Sequence, residues 1–331
     1  IAGWVKGQPV PSDLYSYSDA SRPTYKITVN GRSVPASLTE DGYYTIYRNW
    51  KKNDVVNVHF DMDVRTVRAD NKVEADRGMV SVERGPLVYC AEWRDNAFDI
   101  MSVLLNREPK FSEGKLSYSS FIADSLKTKL QLYRDQNITT LATDAQTLAY
   151  DNSGKLTTQN VKLELIPYFA WCHRGSGNMK VWLPQDVKAT RPSVPATLAS
   201  QAKIASSTPS SSMRSIADGL VPADENDRSV PYFHWWPKQN TTEWITYTFP
   251  EAKQIQSTTV YWFDDQPWGG CKIPDSWTIQ YKDANGNWQN VENVDSYPIK
   301  KGTACTANFK PVKTSEVKIS VKQPAKYSCG L

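Results

Sequence analysis

Apolar and polar residues alternate along most of this chain. Tyr25, Ile27 and Val29 alternate with Lys26, Thr28 and Asn30, and Val56, Val58 and Phe60 alternate with Asn57 and His59. Near the end, Val317, Ile319 and Val321 alternate with Lys318, Ser320 and Lys322. A period of two sends successive side chains to opposite faces of a strand. Each run therefore predicts one face in a core and one in water, as in antiparallel sheets. Turn signals separate the runs: Asn30-Gly31, Asp41-Gly42, Arg84-Gly85-Pro86 and Asn285-Gly286. Asn30-Gly31 and Asn285-Gly286 predict two-residue type I′ hairpins, because that turn needs positive φ at both central positions. Arg84-Gly85-Pro86 predicts a sharp entry into a buried strand, since Gly permits unusual φ and Pro lacks a ladder donor.

Helical periodicity is nearly absent. Ile122, Leu126 and Leu130 recur every four residues, yet Leu126, Leu130 and Leu132 also fit a strand, and both readings stay open. Regularly spaced short strands predict an all-β chain of tandem antiparallel sandwiches. After Trp182-Leu183-Pro184 the alternation stops, and residues 185–200, with Pro192 and Pro195, read as a linker that does not pack on its own. A weaker boundary near residues 62–68 leaves a partial sandwich at 1–64, a second at 65–184, and a separate sandwich at 201–331.

Composition narrows the class. A chain of 331 residues is long enough for two or three cores, and 40% hydrophobic with 22% charged residues is globular. A net charge of +4 is small for that length and argues against nucleic acid as the main partner. No apolar run of about 18 residues exists to span a membrane. Ile1-Ala2-Gly3-Trp4 lacks the regions of a signal peptide, and no initiator Met is present. The sequence is therefore expected to begin inside a larger product, one destined for the periplasm, the cell envelope or secretion. Cys90, Cys172, Cys271, Cys305 and Cys329 give neither a disulfide framework nor a CxxC zinc pattern. Cys90 and Cys172 fall on predicted strands and are expected in the core.

Three stretches in the first 184 residues carry a resemblance. The first is Ile1-Ala2-Gly3-Trp4 with Val29-Asn30-Gly31, Tyr47-Arg48-Asn49-Trp50 and Asp54. The second is Gly78-Met-Val-Ser-Val-Glu-Arg-Gly-Pro-Leu-Val-Tyr-Cys90. The third is Ile166-Pro-Tyr-Phe-Ala-Trp171, then Arg174-Gly175 and Met179-Lys-Val-Trp-Leu-Pro184. In this order they resemble the post-catalytic part of the bacterial β-L-arabinofuranosidase family of glycoside hydrolases. That resemblance implies an (α/α) barrel preceding everything seen here, with a zinc site of cysteines and a glutamate and one cysteine as nucleophile of a retaining mechanism. Zinc is thus expected only in that absent barrel, and no catalytic residue is carried over to this chain. Gly175-Ser176-Gly177 predicts a hairpin tip, and His173 and Arg174 beside it are candidates to face the barrel.

The last third resembles a discoidin-type module, a jelly-roll sandwich that also serves as a carbohydrate-binding module. Ala205-Ser206-Ser207, Ala217-Asp218-Gly219, Glu243-Trp244-Ile245, Val260-Tyr261-Trp262 and Ser276-Trp277-Thr278-Ile279 follow its order. It departs in an insert at residues 220–229 and in stopping at Gly330-Leu331, before the usual closing strand. Structural Ca²⁺ near that insert is implied by the resemblance, and Asp218, Asp224, Asp227 and Ser229 offer the hard oxygens it prefers.

The densest aromatic composition is Tyr232-Phe233-His234-Trp235-Trp236-Pro237-Lys238, followed by Gln266-Pro267-Trp268-Gly269-Gly270. Sugars present apolar C–H faces ringed by hydroxyls, so aromatic platforms beside polar side chains on loops suit them. Trp244, Trp262 and Trp277 lie in strand patterns and are expected in the core, as is one of Trp235 and Trp236. The other tryptophan and Trp268 are candidate platforms, with His234, Arg228, Lys238, Asp264 and Asp265 as polar companions. These features predict an inactive accessory region that supports its own barrel and binds plant cell-wall glycans or arabinose-containing oligosaccharides. The alternatives are a structural or adhesive protein whose discoidin-like domain binds protein, and an independently active enzyme.

Overall fold

The computed structural model describes residues 3–6, 8–10, 12–19, 24–35, 37–39, 42–117, 137–175, 177–208 and 213–331. The ambiguous 122–132 segment lies outside them. The described chain is all-β, with antiparallel pairing between the strands of every sheet and only short 3₁₀ turns besides. It divides into two compact units, Ile1–Ser193 and Val194–Leu331.

The first unit is built on a sheet with ten described strands. Its main path runs Tyr15–Tyr17, Val64–Ala69, Met79–Arg84, Leu87–Glu92, Leu156–Pro167, Asn137–Tyr150 and Val103–Leu105. Val80, Val82, Tyr89, Leu141, Leu163 and Leu165 pack its core. Gly85 and Pro86 form the tight turn between Met79–Arg84 and Leu87–Glu92, with Arg84 paired to Leu87. Gly85 has φ +57, and a Cβ there would run into the Met62 sulfur. The position needs glycine for both reasons.

The structure adds two features to the sequence-derived divisions. Strand Tyr15–Tyr17, assigned to a separate first sandwich, pairs with Val64–Ala69 and so extends the large sheet. What remains of the N-terminal part is the sheet of Tyr25–Val29 with Arg32–Ser33 and Val56–Phe60, and the pair Ser37–Leu38 with Tyr44–Thr45. The segment at 185–200 is not a free connector. Gln185 donates to the Asn106 and Arg107 carbonyls, Asp186 caps the turn Val187–Ala189, and the Ser193 N–H bonds the Leu148 carbonyl. Its polar residues find backbone partners where the apolar pattern gives no sign of packing.

A third difference concerns Val56–Phe60. The strand forms, but Val56 and Val58 are 44% and 49% exposed. Their register partners Val29 and Ile27 share that face with Tyr25, itself exposed. Alternation fixed the strand and its two faces correctly. The apolar face is only partly covered: Val29 is 2% exposed and Tyr25 meets Tyr44 at 5.2 Å, while Val56 and Val58 stay open.

The hairpin at Asn30-Gly31 has φ +51 and +76, as a type I′ turn requires. The one at Asn285-Gly286 is longer. Asp283 and Asn287 close it, only Gly286 has positive φ, and the Asp283 carboxylate accepts the N–H groups of Asn285 and Asn287. Asp283 starts an Asx turn, which makes the loop three residues instead of two.

The second unit is a jelly-roll-like sandwich. Its main sheet orders Lys203–Ser206, Thr242–Val260, Cys305–Lys322, Ser276–Lys282 and Trp288–Asn290. Facing it, isolated bridges join His234 and Phe263 to Gly330 and Cys271 to Ser328. Between them Phe233, Trp235, Trp262, Trp277, Ile279 and Ile319 form the core. Trp262 and Trp277 meet edge to face at 5.7 Å, and both indole N–H groups donate to the Pro298 carbonyl. Trp244, expected in the core, instead points out of the sheet and is 37% exposed. It is the out-of-phase residue between buried Glu243 and Ile245, so the period-two rule places it outside.

Candidate functional site

The two aromatic segments converge at one end of the second unit, and a third segment joins them. The Ser328 hydroxyl donates to the Lys238 carbonyl, the Ser328 N–H to the Gly270 carbonyl, and the Lys272 N–H to the Ser328 carbonyl. Gln239 donates to the Lys326 carbonyl. Residues 235–240, 266–272 and 324–331 are thereby knitted into one surface. The last of these carries no aromatic cluster or motif that points to it in sequence.

Two tryptophans stand on that surface. Trp268 is 90% exposed at the tip of its loop, and Trp236 is 56% exposed. The Trp236 indole lies over Gly270, where a Cβ would come within 2.7 Å of it. Trp235 is the core member of the pair: fully buried, edge to face with Phe233 at 5.1 Å, its Nε1 donating to the Ser206 hydroxyl. It leaves the list of candidate platforms.

The acidic candidates turn inward. Asp264 is buried, accepts the N–H groups of Gln266 and Ile273, and meets Lys301 at 2.9 Å. Asp265 accepts the Cys271 N–H at 2.8 Å, and its carboxylate fills the space where a Gly269 side chain would go. Gln266 completes the brace by donating to the Gly269 and Cys271 carbonyls. These bonds brace the Trp268 loop from inside, and both carboxylates are largely buried. Their adjacency in sequence reads as a polar companion pair only because the loop's unpaired N–H groups are invisible there.

Arg228 lies over the stacked rings of Tyr232 and Phe263, 5.5 and 5.8 Å from their centroids, and reaches Asp265 at 3.5 Å. At 55% side-chain exposure that ion pair is worth little on its own. Lys238 is exposed, as are Lys272 and Lys326, which the sequence did not single out. His234 is half-buried, its ring 6.1 Å from Tyr232 and its Nδ1 buried without a hydrogen-bond partner.

The proposed calcium ligands do not converge. Asp218 accepts the Leu220 N–H, Asp224 that of Asn226, and Asp227 those of Ala223 and Ser229. Each carboxylate closes its own turn, and no group of three metal-binding side chains is found among the described residues. This donor set does not fit a calcium cage, which needs six to eight oxygens on one centre. Beside the loop lies a cavity of about 490 Å³ walled by Leu220, Val230, Tyr247, Phe249, Ile255 and Tyr232. Its walls are largely those of the sandwich core.

In the first unit, Arg174 does not face outward. Its guanidinium grips Asp95 with two bonds, at 2.7 and 2.5 Å, and also bonds Glu92. His173 beside it is exposed. The strands on either side of the predicted hairpin tip, Leu156–Pro167 and Met179–Lys180, each pair with Leu87–Glu92 instead of with each other, and any side chain at Gly177 would overlap Trp93. Cys172, expected in the core, is exposed with φ +68. Cys90 is buried, and burial pushes its thiol and that of Cys271 up to about 12, with Cys329 raised further. A catalytic thiol is shifted the other way. At pH 8 an aromatic disulfide reagent is expected to modify Cys172 alone in the folded chain and all five thiols after unfolding, read by release of the chromophore.

Residues 64–184 match the glycoside hydrolase family 127 C-terminal domain, and residues 1–62 match the β-L-arabinofuranosidase GH127 middle domain. Residues 1–184 belong to glycoside hydrolase family 127. Within residues 194–331 of this family 127 chain, residues 223–319 match the NedA-like, galactose-binding domain. A non-reducing end β-L-arabinofuranosidase of Bifidobacterium longum is 32% identical over 166 residues, covering 49% of this chain and 24% of that protein. A solved GH127 β-arabinofuranosidase shares 51% identity at a TM-score of 0.51, over 59% of this chain and 28% of that one. A GH127 β-L-arabinofuranosidase from Geobacillus stearothermophilus shares 30% identity at a TM-score of 0.40, over 49% and 24%. The family 127 chain thus spans about a quarter of the length of these relatives.

Proposed function

We propose that this chain is the accessory, C-terminal region of an arabinofuranosidase-type glycoside hydrolase. Residues 1–193 support a catalytic barrel that precedes them, and residues 194–331 hold the enzyme on arabinose-bearing plant cell-wall glycans through Trp236 and Trp268. The nucleophile and any zinc belong to the barrel, in keeping with the raised thiols of Cys90, Cys271 and Cys329. Polymers of that kind are met outside the cytoplasm, so the working location is the periplasm or beyond.

The observation that carries this reading is the exposure of Tyr25, Val56 and Val58 on one apolar face of that small sheet, beside half-buried Ile27 and buried Val29. A contiguous exposed apolar face on a folded unit marks a surface that another part covers. Tyr47 and Trp50, in the same N-terminal part, are also exposed, at 90% and 52%.

The test mixes this chain with a separately produced barrel domain of a family 127 relative and follows hydrolysis of a chromogenic arabinofuranoside. The chain alone is expected to release nothing, and to raise the activity of the barrel. Val58→Glu, which replaces a side chain already half in water, is expected to fold normally and lose that effect. Sugar release by the chain alone, or equal effects of the unsubstituted chain and Val58→Glu, contradicts the reading.

A further inference from the structure

We infer that the glycan held at the Trp236–Trp268 surface is acidic, a chain carrying uronate carboxylates, not a neutral arabinan. The inference rests on the reading of residues 194–331 as a glycan-binding module and goes further by assigning the charge of the ligand.

The three segments that build the surface, 235–240, 266–272 and 324–331, contain Lys238, Lys272 and Lys326 and not one Asp or Glu. All three lysines are exposed. Asp264 and Asp265, just before the second segment, are buried and already bonded to loop N–H groups, to Lys301 and to Arg228, and the one exposed carboxylate that follows it closely, Asp275, lies three residues past Lys272. No salt bridge occupies Lys238, Lys272 or Lys326 among the described residues. Lys272 has its ammonium 5.5 Å above the Tyr327 ring. Arg228 adds a fourth cation on the Trp268 side, where its carboxylate partner is also the residue that braces that loop.

For the whole chain the formal charge is only +4, from 39 basic and 35 acidic residues. Concentrating unpaired cations around two exposed indoles is therefore a local feature. A neutral sugar has no use for it: indole faces and hydroxyl-bonding side chains suffice. A polyuronate offers both an apolar ring face for the indoles and a carboxylate on successive rings for the ammonium groups. Close-range charge pairing of this kind is screened by salt, with a Debye length of about 10 Å at 0.1 M.

The test is affinity electrophoresis of the full chain through gels holding an arabinose-bearing pectic polysaccharide, or the same polysaccharide after carboxyl reduction. Calcium is omitted so that the polymer stays uncrosslinked. Retardation is expected to be at least about tenfold stronger on the unreduced polymer, a difference of about 1.4 kcal/mol, and to fade between 50 and 500 mM salt (roughly a threefold drop in Debye length). The double variant Lys238→Gln with Lys272→Gln is expected to bind the two polymers alike, while Trp268→Ala loses both. Equal retardation of the unmodified chain on both polymers overturns the acidic assignment and leaves the glycan-binding reading intact. Equal binding to double-stranded DNA overturns it too, by showing a generic polyanion surface. Retardation on neither polymer overturns both readings.

Discussion

Arg174→Met is expected to destabilise the 1–193 unit by about 3–5 kcal/mol, the usual cost of removing one partner from a buried ion pair. The guanidinium is nearly enclosed, and Glu92 is more so, with side-chain exposures of 9% and 2%. Asp95 completes the set at 15%. Removing the arginine leaves two carboxylates facing each other in a poorly hydrated site. Glu92 also accepts the Cys172 N–H, and its neighbour Trp93 packs over Gly177. The loss should therefore release the whole loop from Cys172 to Gly177. Urea unfolding followed by tryptophan fluorescence measures it. Arg174→Lys keeps the charge but not the two-pronged geometry, and is expected to fall between the two. A change below about 1 kcal/mol, the range of exposed pairs, would mean that Arg174 does not anchor the loop.

That result bears on what sequence can reveal. The Arg174-Gly175 motif marked an important position, but nothing in the local pattern said which way the side chain points. Its partners lie about eighty positions earlier, Glu92 at the end of the strand Leu87–Glu92 and Asp95 in the turn after it. The fold was legible where one period governs the segment. Val317, Ile319 and Val321 pack into the sandwich core, and Trp262 and Trp277 lie there as expected. Alternation says which residues share a face, not whether that face is covered, which is why Val56 and Val58 were misplaced. Trp244 failed for a simpler reason: its place in a strand pattern suggested the core, while its phase between Glu243 and Ile245 put it outside.

The proposed binding surface was half legible. Trp236, Trp268, Arg228 and Lys238 sit in segments whose composition is unusual. Asp264 and Asp265 looked like sugar ligands because carboxylates next to aromatics often are. The loop they border has N–H groups that no strand satisfies, and these claim the carboxylates first. Lys272, Lys326 and Tyr327 were out of reach, since only the knitting of the 324–331 segment into the loops brings them there.

The second large effect is expected at the tryptophans. Trp268→Ala should cost at least 2 kcal/mol of glycan affinity, about thirtyfold, as truncating a central aromatic anchor typically does. Because Trp268 is almost fully exposed, its removal takes no packing from the folded module. The thermal midpoint should stay unchanged. Trp236→Ala should cost somewhat less, since part of its indole face is already spent on Gly270. Titration calorimetry with an arabinose-bearing oligosaccharide, paired with thermal denaturation, separates the two effects. Trp235→Ala is the contrast: it opens a cavity in the core and should cost about 3–5 kcal/mol of stability.

The central claim is that this chain binds arabinose-bearing glycans without cleaving them. Affinity electrophoresis of the intact chain through arabinan, arabinoxylan and an arabinose-bearing pectic polysaccharide tests it most directly, with reducing sugar assayed in the same gels. The account predicts retardation on at least one of the three and no release of sugar. Free migration through all of them would reduce the 194–331 unit to a structural domain, and release of arabinose would place catalysis within the chain itself.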